Sequence, residues 1–187
     1  SAAASIMVAA AIAGEVTINN ISTLSRQADT AICRALERAG ASLIIEERSI
    51  TVAHRTLEAF EFDATQCPDL FPALVALAAA SEGVSTIKGI KRLRGKESDR
   101  GEALRAEYAK LGIDIELDYD EDVMRVVGGE PKAAMVDAHD DHRIAMSLAI
   151  TALRVDEEVV IRGRESVAKS YPSFFEDLES LKIGDCE

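Results

Sequence analysis

LFPALVALAAA, residues 70–80, carries apolar side chains all the way round a helix. The run is too long for an ordinary buried strand, and a helix with no polar face has to be covered on every side. Two more stretches read the same way: residues 2–13 (AAASIMVAAAIA) and residues 144–153 (IAMSLAITAL). Each is followed by a strand-like run, at residues 16–21, 84–90 and 159–162. After the first two come amphipathic helices at 26–39 and 102–111, each stopped by a glycine (Gly40, Gly112). Strand pairs follow at 42–45 with 50–53, and at 114–117 with 123–127, and a last helix is expected at 172–181.

The pattern is an internal repeat with a period of about 70 residues, its third copy cut short after the second helix. Three copies about one axis put three buried helices at the centre and sheets outside. Their N-termini then converge at one end, where their dipoles sum to attract anions. The expected fold is α+β, an α/β repeat in one lobe, with units of about 1–65, 66–137 and 138–187.

Composition sets the outer limits. A content of 48% hydrophobic residues in 187 supplies a large core, and 4% aromatics with no Trp make it aliphatic. A net charge of −12 argues against non-specific nucleic-acid binding. No run reaches the roughly 20 apolar residues of a membrane span. Cys33, Cys67 and Cys186 are odd in number and far apart, fitting neither a zinc site nor a disulfide framework, so reduced thiols of a cytoplasmic protein are expected. The apolar helix at the very first residues suggests a piece of a longer protein.

Against the acidic background, residues 88–100 (KGIKRLRGKESDR) set six cations beside Glu97 and Asp99. Such a concentration either serves an anionic partner or is a solvated turn. The segment also enters the helix at 102–111, with Ser98 or Glu97 as the expected cap. Asp69, before the second apolar helix, is either a helix-start carboxylate or a general base. His139, Asp140, Asp141, His142 and Arg143 open the third; the run reads as a metal site, a cap, or an anion or proton-transfer site. Lys169 alone is a surface lysine, drawn toward the same end only by the repeat. Cys67 reads as a buried inert thiol, and Arg154, Arg162 and Arg164 as solvated.

QCPDLFPALVALAA, RLRGKESDR, DAHDDHRIAMSLAI and VAKSYPSFFEDL, in that order, closely resemble the C-terminal lobe of the 5-enolpyruvylshikimate-3-phosphate synthase family, the 3-phosphoshikimate 1-carboxyvinyltransferases. The resemblance runs over essentially the whole chain. It implies one lobe of a two-lobed enzyme, each lobe built from three βαβαββ units with buried helices, and an N-terminal partner lobe outside this chain. It implies enolpyruvyl transfer from phosphoenolpyruvate to the 5-hydroxyl of shikimate 3-phosphate, with release of phosphate and without metal or organic cofactor. On the matching positions, Asp69 would deprotonate the 5-hydroxyl, Lys96 would lie beside both substrates, and Glu97 would move the proton at the methylene carbon. Arg100, Arg143 and Lys169 would hold phosphoenolpyruvate, where the family also binds glyphosate, with His142 at the border. Arg92 stands where the family has an asparagine that contacts the shikimate phosphate. The other lobe supplies further substrate-binding residues, so the lobe alone is expected to be inactive. The runners-up are a transferase acting on UDP-N-acetylglucosamine and a non-catalytic anion- or RNA-binding repeat domain.

Overall fold

The computed structural model describes residues 2–20 and 28–181. The expectations at Ser1, the strand end at Ile21, the helix start at Arg26 and Cys186 lie outside the described residues.

The three apolar stretches form α1 (Ala2–Ala13), α3 (Phe71–Ala79) and α5 (His142–Ala152). All three pack on one another. α3 is buried over its whole length, and α5 is buried from Ile144 to Thr151. Their Ala content lets the backbones approach closely without voids. Three cross-links fix α3 and α5 side by side and parallel. Arg143 meets Asp69 at the N-terminal ends, Ser147 Oγ donates to the Pro72 carbonyl (2.6 Å), and Arg154 Nη1 donates to the Ala79 carbonyl (3.2 Å) at the far ends. Ile12 of α1 shares a cleft with Ala80 and Arg154, which sets α1 in the same direction.

Sheets enclose this trio. β1 (Glu15–Asn19), β2 (Ser42–Ile45) and β3 (Ser49–Ala53) make an antiparallel sheet in the order β1-β3-β2. Ile50 and Val52 of β3 alternate inward, as the period of two requires. α2 (Ala28–Arg38) covers the flank with Ile32, Ala35 and Leu36.

The second sheet runs β4-β5-β7-β6, from β4 (Glu61–Asp63), β5 (Val84–Lys88), β7 (Val123–Val127) and β6 (Ile115–Asp118). The third pairs β8 (Met135–Asp137) with β9 (Val160–Arg162). β4 lies parallel to β5 across α3, and β8 parallel to β9 across α5, so each of these helices is the crossover of a βαβ unit. The residue-level reading of helix, strand, helix and strand pair lacked these leading strands. A division by sheet falls before Glu61 and before Met135, a few residues ahead of the expected 65 and 137.

α4 (Arg100–Lys110) and α6 (Phe174–Ser180) complete the described elements. The cap of α4 is Asp99, not Ser98 or Glu97: its side chain accepts from the Glu102 backbone N–H (3.4 Å). α5 begins at His142 with Asp141 as its cap. His139 and Asp140 precede the helix with φ of +52° and +55°, so the expected opening of the helix at His139 moves to His142. Arg154 is not a free surface charge: besides Ala79 it reaches the Gly129 carbonyl (2.8 Å) and Glu130 (2.8 Å), and so closes the end of α3.

Candidate active site

Asp69 sits in a single 3-10 turn, Pro68–Leu70, where Pro68 supplies a preset φ at the mouth of α3. Its Oδ1 accepts from Arg100 Nη1 (2.8 Å) and pairs with Lys96 Nζ (3.2 Å). Its Oδ2 lies 3.5 Å from Arg143 Nη2, and its backbone carbonyl 3.4 Å from Arg143 Nη1. One carboxylate thus joins three cations drawn from the loop before α4, from α4 and from α5. Burial pushes the Asp69 carboxyl up, but the Arg100 hydrogen bond and the charges of Arg143 and Lys96 outweigh it and hold it below the usual carboxylate range.

Arg100 is the centre of the cluster. Its side chain is fully buried, yet every nitrogen meets a carboxylate: Nε on Asp141 Oδ2 (2.7 Å), Nη1 on Asp69, and Nη2 on Glu97 Oε2 (2.6 Å) and Asp141 Oδ1 (3.4 Å). Asp141 is equally buried. It caps α5 by accepting from the Arg143 backbone N–H (3.0 Å) and takes a hydrogen bond from Ser98 Oγ (3.2 Å). Burial raises its carboxyl, and the bond and charge of Arg100 more than reverse this. Exposure falls from 42% at Asp69 and Glu97, through 28% at Lys96 and 18% at Arg143, to zero at Arg100 and Asp141. The assembly is an open-faced pad of charge on a buried ionic foundation.

The remaining expected residues border it. Lys169 Nζ is held by Asp140, on Oδ1 (2.6 Å) and on the carbonyl (2.8 Å), at the entrance of α5 rather than at Asp69. His142 is buried in the first turn of α5; its Nδ1 has no hydrogen-bond partner among the described residues. Burial, then the charge of Arg143, lowers its pKa, so the ring is neutral at neutral pH. Arg92 donates from Nη1 to the Thr65 carbonyl (3.3 Å), four residues before Asp69. Among the described residues no three His, Cys, Asp or Glu side chains converge as metal ligands would. Cys67 is half-buried, and burial raises its thiol pKa.

Residue reasoning named Ser98 only as a cap for α4 and Asp141 only within the run at 139–143, and foresaw neither beside Arg100. The signal for Asp141 was present, an aspartate directly before an apolar helix with an arginine two places on. What it bonds on its far side could not be read.

A threefold-repeated α+β lobe built on three buried helices is the fold shared by enolpyruvyl transferases. The profile of the family described as EPSP synthase (3-phosphoshikimate 1-carboxyvinyltransferase) matches residues 1–178, and the chain belongs to that family. A relative named 3-phosphoshikimate 1-carboxyvinyltransferase in Clostridium perfringens is 43% identical over 178 residues, covering 92% of this chain and 41% of the relative. One of the same name in Pyrococcus furiosus is 40% identical, covering 95% and 43%. A solved EPSP synthase from Acinetobacter baumannii superposes with a TM-score of 0.81 at 29% identity, covering 96% of this chain and 45% of that one. The enolpyruvyl transferase NikO from Streptomyces tendae shares the fold, with a TM-score of 0.72 at 22% identity. The chain spans less than half the length of these proteins.

Proposed function

We propose that this chain is one lobe of an enzyme that transfers the enolpyruvyl group of phosphoenolpyruvate to the 5-hydroxyl of shikimate 3-phosphate, releasing phosphate, on the route to aromatic amino acids. The observation that carries the reading is the Asp69 carboxylate, ionised and shared among Lys96, Arg100 and Arg143 where α3 and α5 begin. Phosphoenolpyruvate is small and multiply anionic, so holding it requires converging cations, of which Arg grips a carboxylate in two parallel bonds.

In this reading Asp69 takes the proton of the 5-hydroxyl as that oxygen bonds to C2 of phosphoenolpyruvate. Glu97 enters the step protonated and gives its proton to the methylene carbon, becoming the carboxylate that Arg100 holds, while Lys96 and Arg143 stabilise the charge that develops. The tetrahedral adduct then breaks its C2–O bond to phosphate, while the new methyl group returns a proton to Glu97. Lys169 leaves Asp140 to meet the phosphoenolpyruvate anion. Arg100 acts from below, fixing Asp69 and Glu97. His142 and Arg92 border the two substrates.

The open face supports a second lobe closing over it, with the remaining substrate contacts. The enzyme works in the cytoplasm, and glyphosate competes at the phosphoenolpyruvate cations. No helix among the described residues is long and apolar enough to cross a membrane. The test is phosphate release on mixing this chain with the complementary lobe of a relative, with shikimate 3-phosphate and UDP-N-acetylglucosamine as alternative acceptors. Turnover of the shikimate acceptor only in the mixture is expected; full activity of the chain alone, or turnover only of the sugar nucleotide, would overturn the proposal.

A further inference from the structure

The segment that delivers Asp141 and Arg143 is held in an unfavourable conformation. His139 and Asp140 are consecutive, neither is glycine, and both have positive φ. An L side chain in that region crowds its own carbonyl, and the arrangement persists only where neighbours enforce it. The turn is what redirects the chain from β8 into α5, so that the Asp141 carboxylate faces Arg100.

Lys169 holds the Asp140 end of the pair, at its carbonyl (2.8 Å), and the His139 end is held by Glu107. Its side chain is 3% exposed, on the inner face of α4. Oε2 accepts from the Asp137 backbone N–H (2.8 Å) and from Lys110 Nζ (2.6 Å), and Oε1 meets His139 Nε2 (2.9 Å). Burial raises its carboxyl, but Lys110, His139 and the Asp137 N–H together bring it below the usual range, so it accepts as an anion. The Asp137 side chain adds a bond from the His139 N–H (2.7 Å). Arg100 stands at the first residue of the same helix, about two turns away. α4 therefore grips this short segment twice, Arg100 on Asp141 and Glu107 on Asp137 and His139.

We propose that Glu107, acting through His139, is a positioning residue of the anion site: it holds the left-handed turn and so sets Asp141, Arg100 and Arg143, although none of its atoms reaches the Asp69 pad. The inference rests on the proposed function only for its kinetic readout.

The test compares Glu107→Gln, Glu107→Ala, His139→Gly and His139→Ala. Glycine relieves the backbone strain and removes the Glu107 contact; alanine removes the contact and keeps the strain. In the 187-residue chain the first readout is the Arg100 Nε–H NMR signal, which burial and the Asp141 bond protect from exchange. Glu107→Ala and both His139 variants should shift this signal and speed its exchange, Glu107→Gln less so. In the enzyme assembled with its complementary lobe, KM for phosphoenolpyruvate should rise on the order of tenfold or more, beyond any fall in kcat. His139→Gly should resemble His139→Ala in KM but melt at a higher temperature. An unchanged Arg100 signal in Glu107→Ala, or a wild-type KM in His139→Gly, overturns the proposal. Altered Arg100 signals without turnover in the wild-type assembly support the positioning role and refute the proposed function instead.

Discussion

Replacing Arg100 by alanine should cost this chain about 3–5 kcal/mol, the range for breaking a buried ion pair by removing one partner. The magnitude comes mainly from Asp141. Its carboxylate has no exposure and two bonds from Arg100, so the variant leaves a buried anion with only Ser98 and one backbone N–H. Asp69 and Glu97 are 42% exposed and can turn to water, so they add little. Against a domain stability of about 5–15 kcal/mol the loss is large. Urea titration of both chains measures it. The pH dependence identifies the cause. In the wild type the Asp141 carboxyl is depressed, so its contribution is present above the ordinary carboxylate pKa and lost as pH falls through the lowered value. Without Arg100 burial is no longer offset, and protonation relieves the stranded charge. The gap between variant and wild type should therefore be widest near neutrality and narrow toward about pH 4. The double variant Arg100→Met, Asp141→Leu should recover much of the loss, because no uncompensated charge remains. A single-variant cost under about 1 kcal/mol, a gap that does not depend on pH, or a double variant as unstable as the single would refute the account.

Asp69→Asn in the assembled enzyme should lower kcat by about a hundredfold or more, the usual contribution of a general base. Because the wild-type carboxyl lies below the usual range, no Asp69 limb should appear in kcat/KM between about pH 5 and 8; an inflection there that vanishes in the variant would count against the reading. His142, with its pKa lowered by burial, takes up a proton on unfolding, so stability should decline as pH drops below about 6.5, and His142→Asn should flatten that slope in thermal melts. Asp140→Asn frees Lys169 from an exposed pair, so phosphoenolpyruvate should bind the assembled enzyme up to a few-fold more tightly by calorimetry; weaker binding would mean that Asp140 orients Lys169 rather than competing for it.

The parts of the fold that could be read were those where one physical demand dominates. Residues 70–80 have no polar face, so they could only be a covered helix, and Phe71–Ala79 is buried throughout. β4 and β8 escaped because EFD and MVD offer a single buried residue each, too short for an alternation to register. Within the site, the resemblance implied that Asp69, Lys96, Glu97, Arg100, Arg143 and Lys169 surround one substrate pair; the first five meet, and Lys169 is held on Asp140 instead. α4 was the most misleading element. Arg100, expected as a substrate-holding cation, and Glu107, which no motif marked, share a buried face with Leu104 and Tyr108. Burying them is tolerable because partners arrive from residues 137–141, thirty or more positions away. The left-handed pair carries no glycine to advertise it.

The gradient of exposure across the cluster means that its layers respond differently to dissolved electrolyte. At physiological ionic strength the screening length is about 8 Å, and only charges bathed in water feel it fully. Mobile ions can reach Lys96, Lys169 and the outer edge of Asp69, but not the Arg100–Asp141 pair. Added salt should therefore weaken the pull on an incoming anion while leaving the scaffold that aims the pull intact. A lobe built this way can tune how readily substrate arrives without altering the geometry that receives it.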